Sequence, residues 1–171
     1  IETRDGPVAA IMPVSPFGAA VDVEAWAAFE SDTGVPAVID AAAAFDAARF
    51  GAPVAVISLH ATKAFGIGEG AAVVSRDPAR VAAVRRYANF GFDGTRDSLV
   101  PGTNAKITEY TAAVGLAALA EWPEKRRVLQ ALVRHYAEKL GNSADVSLAP
   151  DFACGSARTT CDVMFSNKMA L

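Results

Sequence analysis

Val56-Ile57-Ser58-Leu59-His60-Ala61-Thr62-Lys63, followed at once by Ala64-Phe65-Gly66-Ile67-Gly68-Glu69-Gly70, is the stretch that decides how this chain is read. An apolar run nearly closes on a serine, and a lysine follows five residues later, just ahead of a glycine-rich string. A short apolar run bounded by turn residues reads as a buried strand, so Lys63 falls in the loop at that strand's carboxyl end. Ligands of α/β sheets gather at this edge. A lysine amine placed there is positioned to attack a carbonyl carbon and form a Schiff base.

Working outward, four apolar runs read as strands: Val8–Val14, Ala37–Ile39, Val54–Leu59 and Ala71–Ser75. They are continuous rather than alternating, the pattern of strands covered on both faces. Between the first two lies a helical stretch with Asp22 as N-cap and Gly34 just past its end. Strand, helix, strand is a parallel crossover unit. Asp77-Pro78 opens another helix, with the proline at its first position. A third helix is expected from about Ala105 to Ala120. Pro123 then opens a long helix that Gly141 stops, whose Val128, Leu129, Leu132, Val133, Tyr136 and Leu140 form one buried stripe. From Asn142 onward the chain changes to short mixed pieces. That tail, and an opening at Ile1-Glu2-Thr3-Arg4 without an initiator methionine, read as a piece of a longer chain.

Bulk properties narrow the function. A chain of 171 residues suffices for one sizeable core. With 16 basic against 19 acidic residues, net charge −3 and pI near 5.4, there is no broad positive field to hold a phosphate backbone, so nucleic acid is not an expected partner. Arg85-Arg86 and Lys125-Arg126-Arg127 read as solvated helix faces. Nothing resembles a membrane span or a signal peptide. Cys154 and Cys161 have no neighbouring histidine, so neither a metal site nor a disulfide framework is expected. The setting that follows is reducing and cytoplasmic, with no membrane partner.

Asp40 ends one strand and Ser58 nearly ends another, so both face the edge where Lys63 lies. A carboxylate, a hydroxyl and a lysine at one edge are what pyridoxal 5′-phosphate needs at its ring nitrogen, phosphate and aldehyde. Plainer readings stand beside this one. A strand-ending aspartate also serves as a turn residue, and a serine there as a local hydrogen bonder. The string from Gly66 to Gly70 reads as a flexible turn or as a dinucleotide fingerprint lacking the right spacing. His60 reads as a packed hydrogen bonder and His135 as a surface residue.

Five ordered blocks narrow these alternatives: Val38-Ile39-Asp40-Ala41-Ala42; Ser58-Leu59-His60-Ala61-Thr62-Lys63; Gly68-Glu69-Gly70-Ala71-Ala72-Val73-Val74; Arg86-Tyr87-Ala88-Asn89-Phe90-Gly91-Phe92; and Asn104-Ala105-Lys106-Ile107-Thr108-Glu109-Tyr110-Thr111-Ala112-Ala113. Together they resemble the DegT/DnrJ/EryC1/StrS family of pyridoxal-phosphate sugar aminotransferases. Ile11-Met12-Pro13-Val14 and Phe17-Gly18 are similar to the strand and turn preceding the cofactor aspartate in that family.

The resemblance implies an α/β fold: the large domain of a type I, aspartate-aminotransferase-like transferase, incomplete, with three α/β/α layers and a mostly parallel sheet. It implies that residues 1–121 belong to the cofactor-binding large domain, and 122–171 to a linking helix and the start of a small domain. Lys63 becomes the Schiff-base lysine and catalytic acid and base, Asp40 the partner of the ring nitrogen, and Ser58 a phosphate ligand. Asn104 becomes a phosphate ligand reaching into the neighbouring subunit of a homodimer.

The implied reaction moves an amino group from glutamate to a nucleotide-linked keto sugar. Related dehydratases carry histidine at the position of Lys63, which favours transamination. Another pyridoxal-phosphate reaction on the same scaffold and a catalytically silent homologue are the rivals. Family members usually carry glutamine or histidine where this chain has Ala43. A water or a side chain from a preceding part of the chain is expected to fill the gap.

Overall fold

The structure, a computed structural model, describes residues 2–3, 6–152 and 155–165. Cys154 and the expectations attached to Ile1, Arg4 and the last residues from 166 to 171 lie outside the described residues. In chain order the elements are β1 (Glu2–Thr3), β2 (Gly6–Pro7), α1 (Val23–Thr33), β3 (Val38–Asp40), β4 (Val54–Ser58), β5 (Ala71–Val74), α2 (Pro78–Tyr87), α3 (Glu109–Leu140), β6 (Val146–Leu148) and β7 (Val163–Phe165).

The central sheet has the order β3-β4-β5. β3 and β4 are parallel, with Asp40 opposite Val56, while β4 and β5 are antiparallel, with Ser58 opposite Ala71. The expected first strand reduces to two parallel bridges, Ile11 to Ala37 and Val14 to Asp40. Pro13 sits between them and has no N–H for a ladder, although its carbonyl accepts from Asp40 N at 2.8 Å. The segment therefore lies along β3 without forming a regular strand.

β4 also departs from the expected two-sided burial. Ala55 and Ile57 are buried, and Val54, Val56 and Ser58 alternate with them as half-buried residues. Its inner face joins Val23, Ile39, Ala41, Ala44 and Ala47 in the core, with Trp26, Phe45 and Val74 at the margin. Small alanines let the segment after Asp40 approach closely, and larger side chains there would force the backbone apart.

The expected caps are in place. Asp22 accepts from Ala25 N at 2.9 Å, and Gly34 ends α1 in the left-handed conformation. Asp77 accepts from Ala79 N at 2.8 Å, with Pro78 beginning α2. Glu30 links α1 to the rest of the sheet unit by accepting from Ala37 N at 2.6 Å and pairing with Arg80 at 2.8 Å. Burial opposes ionisation of Glu30, but the bonds from Arg80 and Ala37 prevail and hold its carboxyl below the ordinary glutamate value.

Helix α3 corrects two expectations. Residues 104–107 are not helical; the helix starts after Thr108, whose hydroxyl accepts from Thr111 N at 3.1 Å, and runs unbroken to Leu140 with Pro123 inside it. An interior proline removes a hydrogen bond and costs about 3 kcal/mol, so tertiary contacts must hold the helix together there. Trp122 supplies one set by packing edge-on to Phe45 and Phe65, with ring centroids 4.9 and 5.6 Å away. Arg126 supplies another at Asp46, at 2.5 Å. Arg126 is therefore a structural tie as well as part of a solvated face.

The second correction concerns the apolar stripe. Only Val133 is buried, whereas Val128, Leu132 and Tyr136 are about half exposed. β6 packs against α3, and the antiparallel pair β6 and β7 completes the described C-terminal part. No helix among the described residues is long and apolar enough to cross a membrane.

Candidate active site

Asp40 and Ser58 end parallel neighbours, which brings both residues to the same sheet edge. Asp40 Oδ1 accepts from Ala42 N at 3.0 Å, the local turn contact expected of a strand-ending aspartate. Its second carboxylate oxygen has no partner among the described residues. One bond thus orients the carboxylate while leaving an acceptor for a ligand. Ser58 Oγ accepts from His60 N at 3.2 Å, so its proton remains available to another acceptor.

The lysine loop is closed by backbone bonds. Leu59 N donates to Gly70 O at 2.9 Å, Ala61 N to Gly68 O at 2.7 Å, and Ile67 N to Leu59 O at 2.9 Å. A Cβ at Gly66 would sit 2.5 Å from Ala61 O, so only glycine allows the chain to fold back this tightly. The glycine string is therefore an ordered return into β5, and no helix follows it as a dinucleotide fingerprint requires. His60 has the packed role: Nδ1 lies 2.8 Å from Thr62 Oγ1, and Nε2 lies 3.5 Å from Glu69.

Lys63 is half-buried, with its backbone N–H bound to His60 O at 2.9 Å. Its amine has no hydrogen bond or ion pair among the described residues. It borders a cavity of about 260 Å³ lined by Phe17, Ala43, Thr62, Lys63, Ala64, Thr159 and Thr160. Phe45 and Phe65 stack 4.1 Å apart beneath this region, joining the segment that carries Ala43 to the loop that carries Lys63. Lys63 offers an unpaired amine to the cavity, and Asp40 and Ser58, at the same sheet edge but outside that cavity's lining, offer a free carboxylate oxygen and a hydroxyl proton; such a set suits a ligand with an aldehyde, a basic ring nitrogen and a phosphate. The residues present fit pyridoxal phosphate.

Asn104 lies elsewhere. It is exposed, forms a backbone bridge with Asn89, and does not line the cavity of Lys63 in its own chain. Phe17, Thr62, Ala64, Thr159 and Thr160 also line the cavity, and none of them is among the site residues expected from the sequence. Phe17 gives a conformational signal only in the structure, where it adopts φ 53° and ψ 19°, a region uncommon for a non-glycine residue. Gly18 beside it must be glycine, because a Cβ would lie 2.9 Å from Ala43 O at a φ of +86°. Among the described residues no cluster could hold a metal ion.

The chain superposes on the crystal structure of DesI determined with its TDP-sugar product, with a TM-score of 0.70, 32% identity, and coverage of 88% of this chain and 40% of that one. The fold is that of the type I pyridoxal-phosphate aminotransferases. The chain belongs to the DegT/DnrJ/EryC1/StrS aminotransferase family, whose model matches residues 1–159. Membership implies pyridoxal 5′-phosphate as cofactor.

Protein Rv3402c of Mycobacterium tuberculosis is 36% identical over 72% of this chain and 33% of its own length. The dTDP-4-amino-4,6-dideoxy-D-glucose transaminase of Shigella dysenteriae is 31% identical over 81% of this chain and 40% of its own length. The chain thus spans 33% and 40% of these curated relatives.

Proposed function

We propose that the protein is a cytoplasmic aminotransferase that moves an amino group from glutamate to a nucleotide-linked keto sugar. The observation that carries this reading is the unpaired Lys63 amine in its cavity, at the sheet edge shared with Asp40. Family membership and the sugar transaminase among the relatives support it. On this reading residues 1–121 belong to the large domain, and residues 122–171 form the linking helix and the start of the small domain.

Each residue then has a distinct task. Lys63 Nζ would hold the cofactor at its aldehyde and, as a free amine, would move the proton at the donor's α-carbon. Asp40, through its free oxygen, would face the ring nitrogen and favour its protonated form. Ser58, whose oxygen already accepts from His60 N, would offer its hydroxyl proton to the phosphate. Bound pyridoxal phosphate supplies the electron sink for these proton movements.

The test uses the full-length protein. Borohydride reduction should leave a pyridoxyl group on the peptide containing Thr62-Lys63-Ala64, and glutamate should bleach the visible band beforehand. At least one member of a panel of dTDP- and UDP-linked keto sugars should bind the wild type and restore the band. A label on Lys106, Lys125 or Lys139, or a wild type that binds no sugar of the panel, would overturn the reading.

The same reading makes the protein a homodimer with Asn104 reaching into the partner's site. It is supported by the exposure of Asn104 and by apolar surface at Leu99, Tyr110 and Leu116, which are 62%, 80% and 70% exposed. Mixing Lys63→Ala chains with Asn104→Ala chains should restore part of the wild-type activity. No rescue would mean that each chain uses its own Asn104.

A further inference from the structure

We infer that Thr159 and Thr160 form the part of the site that selects the acceptor sugar; this rests on the aminotransferase reading and assigns residues that it leaves unassigned. These threonines lie close to a hundred residues beyond Lys63 in sequence, yet they line the same cavity as Lys63 and Ala43. Of the three threonine hydroxyls on the wall, that of Thr62 is committed to His60 Nδ1 at 2.8 Å. Those of Thr159 and Thr160 have no partner among the described residues, and both side chains are exposed to the cavity and solvent. Ala43 contributes only a methyl group, so these two hydroxyls are the uncommitted polar groups on the wall besides the lysine.

The placement is built by buried contacts. Asp46, whose side chain is only 6% exposed, accepts from Ala157 N at 2.8 Å and from Arg126 Nε at 2.5 Å. Asp46 belongs to the segment that follows Ala43, so one carboxylate ties the threonine segment to the stretch that carries Ala43. Arg158, adjacent to Thr159, is 5% exposed and turns away to Asp151, with Nη2 2.7 Å from Oδ2, and to Ser156 Oγ at 3.1 Å. The arginine anchors the segment and leaves the hydroxyls at the cavity.

Chemistry identifies what such a wall suits. A free carboxylate is best bound by a guanidinium fork, but no arginine lines this cavity, and Arg158, next to Thr159, is buried and directs Nη2 to Asp151. The wall offers neutral hydroxyls that both donate and accept, which match the hydroxyl groups of a sugar ring. The donor amino acid draws little from this wall. The acceptor sugar sits against it, with its keto carbon toward Lys63.

The experiment pairs Thr159→Val/Thr160→Val with Thr159→Ser/Thr160→Ser in the full-length protein. Valine keeps the shape and removes the hydroxyls, whereas serine keeps them. Calorimetry with the panel sugar that binds wild type most tightly should show affinity about tenfold weaker or worse in the valine variant and close to wild type in the serine variant. Cofactor labelling at Lys63 and bleaching by glutamate should be unchanged in both. Sugar affinity in the valine variant within about threefold of wild type overturns the inference, as does an equal loss of the glutamate response. A wild type that fails to label at Lys63 or to bind any panel sugar fails the aminotransferase reading instead, so the two failures are distinct.

Discussion

The lysine loop and the threonine segment line a single cavity, yet they are held there by different kinds of contact. Residues 59–70 are pinned by short-range backbone bonds and by a glycine, Gly66, where a Cβ would collide with the loop's own backbone. Residues 155–160 are held by long-range side-chain contacts, including a bond from Ala157 to Asp46 across 111 positions of sequence. The first region can form wherever its strand forms. The second reaches the site only after the segment beyond β3, helix α3 and the C-terminal part have assembled. The residue proposed to hold the cofactor lies in the local element, and the residues proposed for acceptor choice lie in the assembled one.

Two substitutions separate these halves of the site. Asp40→Asn should have the larger effect on rate, reducing turnover about a thousandfold because an amide cannot keep the ring nitrogen protonated. Asparagine still accepts from Ala42 N, so stability in a denaturant titration should change by less than about 1 kcal/mol. Unaltered turnover would return Asp40 to its plain role as a turn residue.

Asp46→Ala attacks the other side of the comparison. It leaves Ala157 N–H without its acceptor and frees Arg126, and should destabilise the protein by about 2 kcal/mol. Because the threonine segment loses its tether, sugar affinity should fall while labelling of Lys63 by cofactor and borohydride persists. If the lysine chemistry is lost in step with sugar binding, the two regions are not separable and the contrast fails.

Much of the geometry around the candidate site was legible because it depends on local order. The interval from Ser58 to Lys63, the strand-ending position of Asp40, and the caps at Asp22 and Asp77 are properties of neighbouring residues, and such residues carry their geometry with them. Where short-range rules competed with packing, the local reading failed. Pro123 reads as a helix opener, yet it lies inside a helix of 32 residues because Trp122 and Arg126 are held from outside it by Phe45, Phe65 and Asp46. The stripe on α3 reads as core, but periodicity specifies only which residues share a face, not how completely that face is covered.

By itself, then, the sequence determined the α/β class, the place of Lys63 beyond a parallel strand, and the alignment of Asp40 and Ser58 at one edge. These follow from hydrophobic patterning and from the direction imposed by a parallel crossover. Only the tertiary structure decided that Phe17, Ala43, Thr159 and Thr160 share the lysine's cavity, and that Arg126 and Arg158 hold structure rather than only meeting solvent. A buried carboxylate can join residues from any distance along the chain, and nothing in their local spacing records the meeting.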